Sequence, residues 1–277
     1  MGVPRRKSCR REDMPLPPLE HIVYGPVRSR RLGASLGINL LPAGFKVCNM
    51  DCAYCQYGWT RRPVRDGSRG MGWPTPQAVE AALASRLMRA AESGEIIDRI
   101  TVAGHGEPTL HPEFEDVAAR LCAIRERIAP KVPMAILSNS TTATSASVRN
   151  GLALFDERYM KLDAGDPITY ARINGRGGPI ARILDALPML APVTIQAMFV
   201  RDAKGEIDNS TEGAVHDWVE ALVLARADRV HIYTLDRPPA LSSLRGVPAR
   251  RLREIAEHAR TAGVPARIFA ARQADIG

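Results

Sequence analysis

The sequence predicts an α/β fold, specifically a partial TIM-like (β/α)6 barrel of parallel strands. Three observations support it: short apolar segments alternate with longer helical patterns, polar loops follow the predicted strands, and no dinucleotide-type glycine fingerprint is present. Strict alternation of strands and helices is typical of parallel βαβ units with right-handed crossovers. With 277 residues and 45% hydrophobic content, the chain is long enough to bury the core of one such domain.

The predicted strands are apolar runs that lie between turn-forming residues. They are residues 35–41, 98–104, 132–138, 158–164, 192–200 and 228–235, followed by a last edge strand at residues 265–270. The predicted helices are residues 75–94, 112–129, 145–154, 167–174, 180–190, 212–227 and 248–263. The first helix has the clearest limits, because Thr75 is a typical N-cap, Pro76 suits the first helical position and Gly94 is a typical stop signal.

The two ends of the chain differ in composition. Residues 1–20 are basic and then proline-rich, and they are predicted to form a flexible tail. Residues 21–277 are predicted to form the partial barrel domain with a C-terminal helical extension. No apolar segment follows Arg5 and Arg6, so the pattern of a signal peptide is not expected here. No stretch approaches the roughly 20 apolar residues of a membrane span. A cytoplasmic protein without a membrane partner is therefore expected.

The formal net charge is +8, and arginine is concentrated in residues 60–70. Such a charge is compatible with a solvated basic surface, with nucleic-acid binding, or with an acidic electron-transfer partner. The loop at residues 60–70 is placed to meet a donor protein or a polyanionic substrate, because it follows a group of cysteines directly.

That group is Cys48, Cys52 and Cys55, in the spacing C-x3-C-x2-C. The chain has five cysteines, and an odd number argues against a disulfide framework. A Cys3His zinc site would need His105 or His111 as its fourth ligand, and a redox pair would leave Cys48 without a role. A [4Fe–4S] cluster held by three thiolates would instead leave one iron with an open position.

The cysteine spacing, with Tyr54 directly before the third cysteine, resembles the radical S-adenosylmethionine (radical SAM) superfamily. Residues 104–112, GHGEPTLHP, resemble the glycine-and-glutamate segment that follows the second strand of that family. A closer resemblance, over residues 22–240, is to the branch related to the tRNA wyosine-base synthases. Its motifs here are residues 24–42, 104–114, 137–142, 161–174, 196–211 and 232–240.

The resemblance implies a radical SAM enzyme with two cofactors, a [4Fe–4S] cluster and S-adenosylmethionine (SAM). Such an enzyme cleaves SAM reductively to a 5′-deoxyadenosyl radical, which abstracts hydrogen from a substrate. The substrate class suggested by the relatives is tRNA or another RNA, with a peptide or a small metabolite as alternatives. A reductant such as flavodoxin or ferredoxin is implied as a partner. A hypothesis from another class is a zinc-binding nucleic-acid-interaction module without catalysis.

The resemblance also implies functional residues. Cys48, Cys52 and Cys55 would be the metal ligands and catalytic residues. Backbone groups at residues 104–107 would receive the methionine amino group of SAM, because glycine permits close approach to a ligand. The full predicted set for cofactor binding is Tyr54, Gly104, Gly106, Glu107, Asn139, Lys161, Asp163 and Gln196.

Within this set, Lys161 is expected at the methionine carboxylate, with an arginine as the alternative. Asp163 and Asn139 are expected at the ribose hydroxyls, and Tyr54 at the adenine. Period-2 alternation places Lys161 and Asp163 on one face, so an internal ion pair of Lys161 with Asp163 or Glu107 is the alternative.

The same alternation places Gln196 on one face with Thr194 and Met198, and His231 with Tyr233. Residues that follow the fifth and sixth strands are candidates for the substrate side, with turn and capping roles as the alternative. They are Asn209, Ser210, Asp236 and Arg237.

A second cluster is not expected. The wyosine-base synthases carry one on three additional cysteines, whereas this chain has only Cys9 and Cys122 left.

Overall fold

The computed structural model describes residues 19–60, 64, 70–176 and 178–269. Within them, ten strands and seven α-helices form an α/β fold. Residues 1–18 of the predicted tail lie outside the described residues, as does most of the arginine-rich loop at residues 60–70. The predicted domain boundary at residue 20 and the role of that loop therefore stay predictions.

The strands and helices alternate along most of the chain. The strands are β1 Val23–Ser29, β2 Gly33–Ile38, β3 Arg99–Val102, β4 Met134–Ser138, β5 Glu157–Lys161, β6 Thr194–Met198, β7 Val200–Asp202, β8 Arg229–Tyr233, β9 Leu244–Gly246 and β10 Ala266–Phe269. The helices are α1 Pro76–Ser93, α2 Phe114–Ile128, α3 Ala146–Ala153, α4 Pro167–Asn174, α5 Ile180–Ala186, α6 Glu212–Leu224 and α7 Ala249–Thr261.

Eight strands form one sheet in the order β1-β2-β3-β4-β5-β6-β8-β10. Within this sheet, every strand except β1 runs parallel to its neighbours, and β1 is antiparallel to β2. The hairpin between β1 and β2 nevertheless reaches β8: the Arg31 guanidinium lies 4.9 Å from the ring centroid of Tyr233. Arg30 also forms an ion pair with Asp236, which follows β8. The sheet therefore curls into an open barrel, and the predicted fold class is confirmed.

The two faces of the curved sheet differ in polarity. Outward-facing side chains from six neighbouring strands are buried together with the helices in one apolar core. They include Leu36, Ile38, Ile100, Val102, Met134, Ile136, Met160, Ile195, Val230 and Ile232. The alternate residues face the barrel interior and are more polar, including Ser35, Thr101, Tyr159, Lys161, Gln196, His231 and Tyr233. Alternation of side chains across each strand separates a structural face from a functional one.

The predicted units are confirmed in their order and type. Helix α1 begins after Thr75, whose side chain accepts a hydrogen bond from Ala78 N, and it ends before Gly94 in a left-handed conformation. The last edge strand is also confirmed, because β10 pairs with β8. Helix α7 packs into the main core, so it belongs to the sixth strand–helix unit. Among the described residues, no helix is long and apolar enough to span a membrane.

Several features differ from the prediction, and strand β9 is among those that were not predicted. Strand β1 was not predicted, because its Gly25–Pro26 step interrupts the apolar pattern and proline in a sheet is largely confined to edges. The predicted strand at residues 192–200 is divided at Phe199, and β7 leaves the barrel to pair with β9. The predicted helix at residues 112–129 begins later, at Phe114.

Candidate metal centre

The three cysteines lie in the loop after β2, at the carboxyl end of the barrel strands. Cys48 is buried and Cys52 and Cys55 are partly buried, and all three are free thiols. The loop is held at its start by a bridge between Val47 and Gly106. In a parallel barrel, reactive groups gather at this end because the loops from successive strands meet there.

Two side-chain amides are directed at the sulfurs. Asn139, which follows β4, places Nδ2 3.7 Å from the Cys48 Sγ. Asn174, at the end of α4, places Nδ2 3.6 Å from the Cys52 Sγ. The backbone N–H of Met50 also donates to the Cys48 Sγ at 3.4 Å. Hydrogen bonds to sulfur stabilise its anionic form and tune an iron–sulfur cluster, so the surroundings suit thiolate ligands.

Burial opposes ionisation of these thiols in the absence of a metal. It raises the pKa of Cys48 to about 12. Burial also raises the pKa of Cys52, although the nearby Lys161 acts to lower it. A metal ion reverses this preference, because a coordinating thiol is deprotonated. The donor set of three thiols, two of them with amide partners, therefore fits a cluster of iron and sulfide.

The glycine segment after β3 packs directly on the start of the cysteine loop. A Cβ atom at Gly106 would lie 1.6 Å from the carbonyl oxygen of Val47, and one at Gly104 would lie 2.2 Å from Asn39 Oδ1. Glu107 N donates to the same Val47 oxygen at 2.9 Å. Gly106 is therefore required by close contact with the backbone, and Gly104 by close contact with the buried Asn39 side chain. The two glycines bring the predicted SAM-binding segment beside Cys48.

Replacing Gly106 by alanine is expected to lower the free energy of unfolding by about 1–3 kcal/mol, since the new Cβ overlaps backbone atoms that must shift. Urea titration followed by circular dichroism measures this change. Gly213→Ala is the matched control, because a Cβ there meets no atom within 4 Å and the position lies in α6. Equal stability of the two variants would contradict the close contact.

Glu107 is a buried carboxyl group with both oxygens engaged. Its Oε1 accepts from Thr109 N at 3.1 Å, Thr109 Oγ1 at 2.5 Å and Ser138 Oγ at 2.9 Å. Its Oε2 accepts from Asn139 N at 2.5 Å. Burial raises the pKa of Glu107, although these hydrogen bonds act to lower it. The side chain joins the loops after β3 and β4, which positions Asn139 beside Cys48.

Lys161, Asp163 and Tyr54 meet beside the cysteines. The Lys161 ammonium forms an ion pair with Asp163 Oδ2 and lies 4.2 Å from the Tyr54 ring centroid. The Tyr54 hydroxyl donates to the same carboxylate at 2.5 Å. Asp163 also accepts from Asn174 Nδ2 and from Met198 N, both at 2.9 Å. The internal ion pair, one of the two alternatives for Lys161, is present.

The charge on Lys161 is stabilised by its neighbours. Burial acts to lower the pKa of Lys161, but Asp163 and Cys52 raise it above the usual value for lysine. This raised pKa favours the cationic form of Lys161 beside the candidate ligand Cys52. Gln196 is the register partner of Lys161 on the next strand, so the structure also brings this predicted residue to the site.

Two of the four candidates for the substrate side have structural roles. Asn209 is buried, and its Nδ2 donates to Asp163 O and to Met198 O, both at 2.8 Å. Ser210 donates to Asp208 Oδ1 at 2.6 Å within its own turn. These contacts match the turn-forming alternative. Arg237 instead reaches the cysteine loop, where it donates to Gln56 Oε1 at 2.8 Å.

The two histidines considered as a fourth zinc ligand are occupied. His105 Nδ1 accepts from Leu19 N at 2.9 Å, and its Nε2 lies 2.8 Å from Pro42 O. His111 Nδ1 accepts from Glu113 N at 3.1 Å, and its Nε2 lies 2.8 Å from Pro74 O. Because both ring nitrogens of each residue are hydrogen-bonded, neither histidine is free to complete a Cys3His site.

Sequence reasoning did not single out Asn174. It lies within the motif at residues 161–174. The only local pattern around it is that of an asparagine before a glycine, Gly175, at the end of a helix. That position is typical of a cap, so its contacts with Cys52 and Asp163 depend on tertiary packing.

The open parallel barrel carries three free thiols in the loop at the carboxyl end of its strands, a donor set that fits a metal bound through thiolates. The chain belongs to the radical SAM superfamily: the model of that family matches residues 44–201, which contain all three cysteines. Enzymes of this superfamily use a [4Fe–4S] cluster and SAM.

Relatives of known sequence are similar over much of the chain. A UPF0026 protein of Methanocaldococcus jannaschii is 33% identical over 55% of this chain and 44% of its own length. A UPF0026 protein of Synechocystis sp. is 31% identical over 79% of this chain and 77% of its own length. This chain therefore spans less than half of the first relative and about three quarters of the second.

Solved structures support the fold. A radical SAM methyltransferase from Sphaerobacter thermophilus matches with a TM-score of 0.61 and 18% identity, over 87% of this chain and 67% of that chain. Archaeal TYW1 matches with a TM-score of 0.50 and 14% identity, over 80% of this chain and 70% of that chain. At these identities the likeness concerns the fold. The wyosine-related branch stays a prediction, since a likeness at this identity shows the fold alone.

Proposed function

We propose that Cys48, Cys52 and Cys55 bind three irons of a [4Fe–4S] cluster and leave the fourth iron for SAM. The observation that carries this proposal is the pair of amide donors, Asn139 and Asn174, directed at two of the three sulfurs. When bound, the cluster and SAM supply a one-electron cleavage of a carbon–sulfur bond, which gives a 5′-deoxyadenosyl radical able to abstract hydrogen from a substrate.

The chain's own residues orient the two cofactors. Asn139 and Asn174 hold the sulfurs of Cys48 and Cys52 and so fix the side chains that would bind iron. Asn139 also donates to Asn49 Oδ1 at 2.8 Å, which further engages its amide. Its contacts support a role in positioning the cluster more directly than the ribose role predicted for it.

Backbone groups at residues 104–107 would bind the methionine end of SAM, because glycine keeps this segment against the cysteine loop. Lys161 would attract the methionine carboxylate while its ion pair with Asp163 orients the ammonium. Tyr54, held by Asp163, would present its ring to the adenine. The ribose role of Asp163 and the cofactor role of Gln196 stay predictions.

An acidic one-electron donor of the flavodoxin or ferredoxin type is the proposed reductant. The net charge of +8 supports attraction of such a partner. Trp59, four positions after Cys55, is 47% exposed and gives the surface near the cysteines an apolar contact point. Exposed tryptophan is enriched among the residues that dominate binding energy at interfaces.

RNA is the first substrate class to test, because the same positive charge favours a polyanion. A peptide and a small metabolite are the alternatives. A zinc-binding module without catalysis is the competing function, and metal content distinguishes it directly.

The test begins with anaerobic purification, metal analysis and absorbance spectroscopy. A brown protein with about four irons per chain is expected. Addition of SAM and dithionite should then release 5′-deoxyadenosine. A colourless protein with a single zinc would reject the proposal.

The same assay identifies the substrate class. Bulk tRNA, a peptide extract and a metabolite extract are added separately to the reduced enzyme. Stimulation of 5′-deoxyadenosine release by tRNA is expected, and stimulation by the RNA-free fractions alone would reject the RNA assignment.

A further inference from the structure

The barrel interior contains polar side chains to which no specific cofactor contact has been assigned. For Gln196, a substrate role is the alternative to the cofactor role predicted from the sequence. Among the described residues, three buried nitrogens there lack a hydrogen-bond partner. They are Arg31 NH1, Gln196 Nε2 and His231 Nδ1. An unpaired buried polar group costs free energy, so three in one region indicate a site for a polar ligand.

Gln196 and His231 are neighbours by strand register. They are directly paired residues of β6 and β8, and both side chains face the interior. Gln196 is 7% exposed and His231 is 8% exposed. The Gln196 Oε1 lies 3.4 Å from the Tyr233 hydroxyl, which leaves the two Nε2 hydrogens available for an acceptor.

His231 is enclosed by aromatic rings. Its ring centroid lies 5.6 Å from that of Tyr159 and 4.9 Å from that of Phe269. Burial lowers the pKa of His231 to about 4, and Arg31 is the nearby charge that lowers it most. The neutral imidazole can still donate one hydrogen bond.

Arg31 enters the interior from the hairpin between β1 and β2. Its guanidinium packs on Tyr233, and within the described part of the chain no carboxylate forms an ion pair with it. The carboxylates in and after β5 have other partners: Asp163 pairs with Lys161, and Glu157 pairs with Arg99. Water could satisfy the amide and the imidazole, but it would leave the arginine charge uncompensated.

We propose that Arg31, Gln196 and His231 form a subsite for an oxyanion group of the substrate, either a carboxylate or a phosphate. The Gln196 Nε2 and the Arg31 guanidinium are donors only, and the arginine supplies a positive charge, so the complementary ligand is an anion with several acceptor oxygens. Lys161 neighbours both this subsite and the thiols, because it is the register partner of Gln196 and its charge acts on Cys52. The subsite holds the substrate by a group other than the one that reacts.

This inference rests on the proposed function, because it assigns the interior to a substrate of the radical reaction. The subsite is tested by isothermal titration calorimetry. The anaerobically purified, cluster-loaded protein is titrated with inorganic phosphate and, separately, with acetate. Ionic strength is held constant, and each titration is repeated with saturating SAM. Saturable binding of one anion is expected, and the two titrations distinguish a phosphate-bearing from a carboxylate-bearing substrate.

Arg31→Gln is expected to weaken anion binding about tenfold or more, since a charge-assisted hydrogen bond is lost. Arg31→Lys should restore part of the affinity and shows whether the hairpin still folds. Arg30→Gln is the matched control, because it makes the same charge change one residue away in the exposed ion pair with Asp236. The affinity of the Arg30→Gln protein for the anion should equal that of the unmodified protein.

Three results would overturn the subsite: no saturable binding of either anion, equal weakening by Arg30→Gln, or loss of anion binding when SAM is present. The last result would assign the group to the SAM carboxylate. Failure of the proposed function is recognised separately, since a protein without iron would fail the metal analysis whether or not it binds anions.

Discussion

Replacing Cys52 by alanine is expected to abolish iron–sulfur absorbance and all cleavage of SAM. With two thiolates left, the site cannot hold three irons of the cluster. The measurement is the iron content and visible spectrum of the anaerobically purified variant, followed by an assay for 5′-deoxyadenosine.

Cys122→Ala is the matched control for this loss. Cys122 lies in α2, where its Sγ contacts Glu126 and Arg125 rather than the other cysteines. Its iron content and turnover should equal those of the unmodified protein. Full iron content in Cys52→Ala, or the same loss in Cys122→Ala, would show that the assigned thiols are not the ligands.

Replacing Asp163 by alanine is expected to destabilise the fold by about 3–5 kcal/mol. The substitution leaves the largely buried Lys161 ammonium without its carboxylate partner. It also removes the acceptor for the Tyr54 hydroxyl, the Asn174 amide and the Met198 backbone N–H. An unpaired buried charge and three unpaired donors cost far more than an exposed ion pair does.

Urea denaturation measures the loss of stability, with Asp228→Ala as the matched control. Asp228 forms an ion pair with Arg229 at the surface, where both side chains are exposed. Its removal should change the free energy of unfolding by less than about 0.5 kcal/mol. Similar losses for the two variants would contradict the central position given to Asp163.

Most of the barrel was predictable because its signals are local. The strands that became β3 to β6 and β8 are apolar runs between turn residues, and α1 has an N-cap and a left-handed glycine at its ends. Strand β1 was not predictable in this way. Its proline lies at a sheet edge, and Tyr24 packs over Gly37, where a Cβ would lie 2.2 Å from the tyrosine ring. Such a contact depends on the finished hairpin.

The candidate site was predictable in part for the same reason. The cysteines and the glycine segment are contiguous in sequence, so their spacing carries the signal. Asn174 and Arg31 carry no such signal. The first contacts Cys52 across 122 positions of sequence, and the second reaches Tyr233 only because the sheet curls. Side chains that are assembled by tertiary folding cannot be identified from local pattern alone.

The division of the sheet into an apolar outer face and a polar inner face has a consequence for divergence. The outward residues of the strands are close-packed against the helices, so changes of size there are costly. The inward residues contribute less to that core, and many of them can exchange polar groups at smaller cost. Along each strand, proteins that share this barrel should therefore differ most at the inward-facing positions. One architecture can then accept new substrates while its helices stay in place.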